Sequence, residues 1–189
     1  MDGRLIYLMG PSGSGKDSLI EAAHERLRAM NCEIIRRVIT RSAESVGEDA
    51  IGVTPEEFDK RQRAGDFALA WHANGLAYGI PLEIDEWLNV GRHVLMNGSR
   101  ANLRQAQERY PTLLPVLLTV KDDVLRERLL RRGRETPEQI DARLARNALF
   151  KDRRSSDLPV HLIDNSGALT DAVNQLLALI RLNAVPDRT

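Results

Sequence analysis

The stretch GPSGSGKDSL, Gly10 to Leu19, governs how the rest of the chain is read. It follows G-x-x-x-x-G-K-[ST], a loop that curls its backbone N–H groups around phosphate oxygens, except at the last position. There a hydroxyl normally helps to hold Mg²⁺, and this chain has Asp17 instead. Gly10, Gly13 and Gly15 allow the curl, with Pro11, Ser12 and Ser14 between them. Lys16 can reach the terminal phosphates, and the helix that opens there adds its positive end. The plainer reading, a glycine-rich turn with an incidental lysine, is disfavoured by what flanks the loop. Arg4 to Met9 is a short apolar run suited to a buried parallel strand, and Lys16 to Met30 carries Leu19, Ile20, Ala23 and Leu27 at helical spacing.

Working outward, Glu33–Ile39 reads as a second strand, Ser42–Gly52 as a polar loop, and Thr54-Pro55-Glu56-Glu57 as a capped helix start. Phe67 to Gly79 reads as a β-hairpin turning at Asn74-Gly75. A helix over Pro81–Val90, a strand over His93–Met96 and a helix over Ala101–Arg109 follow. Leu113–Val120 is strand-like, and Pro115 suggests a place near a sheet edge. Lys121–Leu130 and Thr136–Lys151 read as charged helices, Val160–Ile163 as a last strand and Leu169–Leu182 as a final amphipathic helix, with a frayed tail AVPDRT. Strands alternating with helices predict an α/β protein with a central parallel sheet covered on both faces.

Composition narrows the function. Lys plus Arg and Asp plus Glu both total 27 of 189 residues, so the net charge is zero and no basic excess points to nucleic acid or an anionic membrane. No apolar stretch approaches the roughly 20 residues of a membrane span, and no long apolar leader opens the chain, so a cytoplasmic protein is expected. Cys32, read as a helix or turn residue, is the single cysteine, which excludes an internal disulfide and a cysteine-built zinc site. His24, His93 and His161 lack metal-ligand spacing, and His72 reads as an incidental polar residue.

A second cluster is LRERLLRRGRETPEQIDARLARN. A mobile arginine-bearing segment can close on a transferring phosphoryl group and balance its charge. Arg132, beside Gly133, and Arg143 are the arginines read as catalytic with Lys16, while Arg128, Arg131 and Arg134 read as a solvated face. A third set stands after strands, where ligands of parallel sheets collect: Thr40-Arg41, Tyr78 after the hairpin, and Asn97-Gly98-Ser99-Arg100.

With these residues in view, the chain resembles the guanylate kinase-like branch of the P-loop nucleoside monophosphate kinases over most of its length. The matching frame is GPSGSGK, Thr40-Arg41, Pro55–Phe58, Asn74–Gly79, RLLRRG…ARLARN and the strand ending at Asn165. The resemblance implies one domain with a three-layer fold: a core of 1–40, 92–125 and 155–183, a small acceptor-binding β excursion at 41–91, and a helical lid at 126–154. It implies an ATP site of Gly10 to Ser18 with Asn165, and acceptor contacts at Arg41, Tyr78, Asn97, Ser99 and Arg100. Leu69 stands where guanylate kinases carry the acid that reads guanine, their next loop arginine falls near Glu44 or Ser45, and a phosphate-binding tyrosine falls on Ala50. A lost base-reading carboxylate should reject guanine strongly. Within the branch, GPSGSGKDSL, ITR, AWHANGLAYG, VLMNGSRANL and RGRE…ARLAR resemble the ribose 1,5-bisphosphate phosphokinases of phosphonate catabolism. That resemblance implies ATP and Mg²⁺, a small phosphorylated sugar as acceptor, 5-phosphoribosyl 1-diphosphate as product, no nucleic acid or membrane partner, and a homodimer as an allowed assembly. The rival readings are a guanylate kinase and a non-catalytic module of the same fold. Asp17 is expected to contact the metal or its waters with Ser18 or Asn97 in support, or else to cap the helix and face away.

Overall fold

A computed structural model describes residues 3–40, 50–151 and 159–183, with side chains for all of these except 146–151. The apolar run becomes β1 (Leu5–Met9), buried along its whole length. Ile6 and Leu8 face one core cluster while Leu5, Tyr7 and Met9 face another, which is why no polar residue interrupts the strand.

Five parallel strands lie in the order β2 (Cys32–Ile35), β7 (His93–Asn97), β1, β8 (Leu114–Thr119), β9 (His161–Asp164). One face packs against α1 (Lys16–Arg28) through Leu19, Ala23 and Leu27, and against α7 (Leu169–Asn183) through Ala172, Val173, Leu176, Leu177 and Ile180. The other is covered by α3 (Glu83–Asn89) and α4 (Leu103–Arg109), together with Leu69, Trp71 and Ile80 of a second sheet. That second sheet runs β4 (Ala50–Gly52), β3 (Arg37–Ile39), β6 (Leu76–Pro81), β5 (Phe67–Ala73). Three layers result, as the strand–helix alternation predicts.

The local signals hold. Asn74 and Gly75 take φ of 52° and 75°, the left-handed pair that a two-residue hairpin turn needs. At α2 (Pro55–Ala64), Thr54 Oγ1 accepts the Glu57 N–H at 3.2 Å. Helix α5 (Asp122–Arg132) ends at left-handed Gly133, and α6 (Pro137–Lys151) follows.

Several expectations change. The strand read over Glu33–Ile39 is split at exposed Arg36 between β2 and β3, in different sheets. A short β-like run does not encode which sheet it joins. Consequently the second sheet starts at Arg37, ahead of residue 41, and it recruits Ala50–Gly52 from the stretch read as loop. Strand β8 is interior, between β1 and β9, in spite of Pro115. Pairing with β9 begins at Val116, one residue past the proline, so the missing N–H precedes the stretch where β8 is paired on both sides. Cys32 opens β2 at 1% exposure, and burial pushes its thiol up to about 12. The tail AVPDRT lies outside the described residues.

Candidate active site

The loop between β1 and α1 is braced from beneath. Gly13 and Gly15 hold φ of 91° and 89°, a region that Cβ-bearing residues seldom occupy. Between them Ser14 is fully buried, its N–H donating to Pro11 O at 3.0 Å. Asn165, just past β9, donates from Nδ2 to Ser14 O at 2.8 Å, and Arg128 of α5 reaches Ser14 O at 3.4 Å and Asn165 O at 2.8 Å. Strand end, helix and loop are thus tied at Ser14.

Lys16 Nζ donates to Gly10 O at 2.8 Å and Pro11 O at 3.4 Å, folded over its own loop. Burial brings its pKa down to about 8; the Asp17 carboxylate opposes this, and the positive charges of Arg37 and Arg100 add to it. An ammonium poised so close to neutrality gains when an anion enters.

Asp17 does not face away as a cap. Its Oδ1 accepts the Asn97 amide at 3.3 Å, joining the start of α1 to the end of β7, and both residues line the central cavity. Ser18 lines it as well. A divalent cation fits this corner by donor chemistry, since it offers a carboxylate, an amide and a hydroxyl, all hard oxygen groups. Among the described residues no three His, Cys, Asp or Glu side chains cluster for a metal. A hard cation held mainly by phosphate oxygens and water needs only one or two carboxylates.

The cavity, about 860 Å³, opens at the carboxyl ends of β1 and β7. Of the residues singled out from the sequence, Gly10, Ser12, Gly13, Gly15, Lys16, Asp17, Ser18, Tyr78, Asn97, Arg132, Arg143 and Asn165 line it. Arg143 pairs with Glu135 at 2.6 Å across the α5–α6 turn. Pro11, Ser14, Ser99 and Arg100 stand outside the lining. The Tyr7 hydroxyl fixes Ser99 through its main chain, donating to Ser99 O at 2.9 Å and accepting its N–H at 3.1 Å. Arg100 is half-buried, and desolvation lowers its pKa. Arg41, with Glu44 and Ser45, lies outside the described residues.

One of the three arginines read as solvated is not. Arg128 is partly buried against the phosphate loop, and Arg134 is exposed as read yet lines the cavity mouth, while Arg131 does turn outward to Glu127, at 2.5 Å. The available signal was spacing: Arg128 and Arg132 stand four apart on α5, beside the buried Leu125 and Leu129. Arg37 was missed altogether, although it lines the cavity with Asn74, Leu76 and Tyr78. No pattern within residues 33–39 reveals that β3 turns away to face the loop. Leu69 is a core residue at 2% exposure.

A family model described as an AAA domain matches residues 6–148. The ribose 1,5-bisphosphate phosphokinase PhnN of Pseudomonas paraeruginosa (strain DSM 24068 / PA7) is 63% identical over 178 residues, covering 94% of this chain and 95% of that protein. The chain belongs to the ribose 1,5-bisphosphate phosphokinase PhnN family. Another member, from Pseudomonas fluorescens (strain SBW25), is 59% identical over 186 residues, covering 95% of this chain and 96% of that protein. A crystal structure of guanylate kinase from Anaplasma phagocytophilum superposes with a TM-score of 0.71 over 98% of this chain and 88% of that one, at 17% identity. At that identity the likeness establishes the fold. It places this PhnN-family chain on a guanylate kinase framework whose hairpin carries Leu69 in its core.

Proposed function

We propose that this chain transfers the terminal phosphoryl group of ATP to ribose 1,5-bisphosphate, giving 5-phosphoribosyl 1-diphosphate and ADP. The observation that carries the reading is the convergence, around one cavity, of a phosphate loop with its Lys16 and a set of arginines from α5 and α6, in a member of the PhnN family.

An oxygen of the acceptor's anomeric phosphate attacks the γ-phosphorus in line, and the bond from that phosphorus to the ADP oxygen breaks. The attacking oxygen is already ionised at neutral pH, so no general base is required. Loop amides and Lys16 hold the donor phosphates, Lys16 exchanging its loop carbonyls for phosphate oxygens. Asn165 and Arg128 keep the loop curled. Asp17, with Ser18 and Asn97, would hold Mg²⁺ or its waters, and the bound cation would neutralise charge on the β- and γ-phosphates. Arg132 and Arg143, carried on a lid formed by α5 and α6, offset charge that develops during transfer. Arg143 reaches that role by trading Glu135 for the phosphoryl group. Tyr78, with Arg41, clamps the acceptor phosphate, and Asn97, Ser99 and Arg100 lie toward the sugar or its second phosphate. Dependence on ATP would suit a cytoplasmic location.

Leu69, buried and apolar, argues against a guanine acceptor. A coupled assay offering ATP with ribose 1,5-bisphosphate, GMP or gluconate tests the reading. Turnover of the bisphosphate alone is expected. Turnover of GMP alone would refute it.

A further inference from the structure

We infer that Arg37 binds one phosphate of the bisphosphate acceptor and is a specificity-determining residue of this site. The inference deepens the kinase reading above and rests on it.

The support is a ladder across three strands of the small sheet. Trp71 of β5 lies opposite Tyr78 of β6, and their rings stack at 5.3 Å and 7°. Tyr78 lies opposite Ile39 of β3, so Arg37, two residues along, is its diagonal neighbour on the same face. The Arg37 guanidinium carbon sits 5.2 Å from the centre of the Tyr78 ring. Trp71 is only 9% exposed, packed into the core that backs the main sheet. The core therefore fixes the tryptophan, which orients the tyrosine, which orients the guanidinium.

A planar guanidinium held this way presents its N–H fork in a set direction, the arrangement suited to two oxygens of one phosphate. Arg37 and Tyr78 share the cavity wall with Asn74 and Leu76. Lys16 lines the same cavity from the phosphate loop. Two cations held in one cavity repel each other, and an entering polyanion relieves that repulsion. On the same hairpin Leu69 offers no carboxylate to a base edge. The wall thus presents a cation in place of base-reading groups, matching an acceptor whose distinguishing feature is a second phosphate.

Steady-state kinetics of wild type, Arg37→Gln and Arg37→Lys test this, varying ribose 1,5-bisphosphate and ATP separately. Wild type is measured first, since its failure to use the bisphosphate would defeat the kinase reading itself. Given wild-type turnover, Arg37→Gln should raise the acceptor KM by roughly tenfold to hundredfold, the value of a charge-assisted hydrogen bond, with the ATP KM changed less than about twofold. Arg37→Lys, which keeps charge without the fork, should fall between them and guards against a glutamine variant that folds poorly. Calorimetry with ribose 1,5-bisphosphate and no nucleotide should show binding weakened in the same order. An unchanged acceptor KM in Arg37→Gln, or equal rises in both KM values, would overturn the assignment while leaving the kinase reading intact.

Discussion

Two glycines with nearly the same backbone differ in what surrounds them, and that difference can be measured. Gly15, before α1, has φ 89° and ψ 24°, and Gly65, after α2, has φ 79° and ψ 21°. An alanine at either site meets the left-handed penalty, roughly 1–2 kcal/mol. At Gly65 nothing lies within 4 Å of the added Cβ, so the penalty ends there. At Gly15 the Cβ would come within 2.6 Å of Asn165 Nδ2, the atom that donates to buried Ser14 O. Asn165 must shift, the bond is lost, and a buried carbonyl keeps only Arg128 at 3.4 Å. Leaving a buried polar group poorly satisfied costs roughly 1–3 kcal/mol more. Gly15→Ala should therefore melt about 2–12 °C below Gly65→Ala, at the 2–4 °C per kcal/mol typical of this size. ATP binding should weaken in Gly15→Ala alone. Paired urea or thermal unfolding, with calorimetric ATP titration, decides it. Equal losses in stability and unchanged ATP affinity in both variants would refute the brace.

Lys16 gives a pH signature. Its pKa in the folded protein, about 8, is below the ordinary 10.5, so the folded state binds fewer protons between these values. This group's destabilisation is full below about pH 8 and fades as pH rises toward 10.5. Phosphates favour the ammonium, so ATP binding above about pH 8 should take up protons, measurable by calorimetry in buffers of different ionisation heat, and Lys16→Met should abolish the uptake. Asp17→Asn should shift the Mg²⁺ concentration for half-maximal rate upward by about tenfold, with Mg²⁺-free ADP binding kept or tightened by loss of a repelling charge; an unaltered Mg²⁺ titration would remove the aspartate from the metal. Arg128→Ala should weaken ATP binding and lower stability by about 1–3 kcal/mol, because two buried carbonyls lose a cationic donor, whereas Arg131→Ala, at an exposed pair, should change either by less than about 0.5 kcal/mol.

What was legible in the sequence was what is encoded locally. The loop announces itself by glycine spacing, the hairpin by Asn74-Gly75, and the start of α2 by Thr54 and Pro55, because each needs particular backbone angles or caps within a few residues. Lys16, Asp17, Asn97, Tyr78, Arg132 and Arg143 all reach one cavity: Lys16, Asp17 and Asn97 stand at or just past strand ends, Arg132 and Arg143 on arginine-bearing helices, and Tyr78 within β6 rather than after the hairpin. The rest depends on packing between distant segments. Whether Arg128 faces water or Ser14 is set by how α5 lies on the loop, and Arg37 becomes a site residue only because β3 leaves the main sheet. Pro115 misled because a strand's place in a sheet is settled by its neighbours.

The tie beneath the phosphate loop also bears on when the protein becomes able to work. The loop precedes its own braces in the chain: its Ser14 carbonyl is held by Asn165 and Arg128, which follow it by 151 and 114 residues. Among the described residues strand β1 pairs with β7 and β8, both made much later. A nascent chain thus carries its nucleotide-binding signature before the support that gives it shape, which waits until Asn165, just past β9, has emerged. Competence to bind ATP is therefore expected to wait for Asn165. On this reasoning, nucleotide binding would report that synthesis has passed the strand β9.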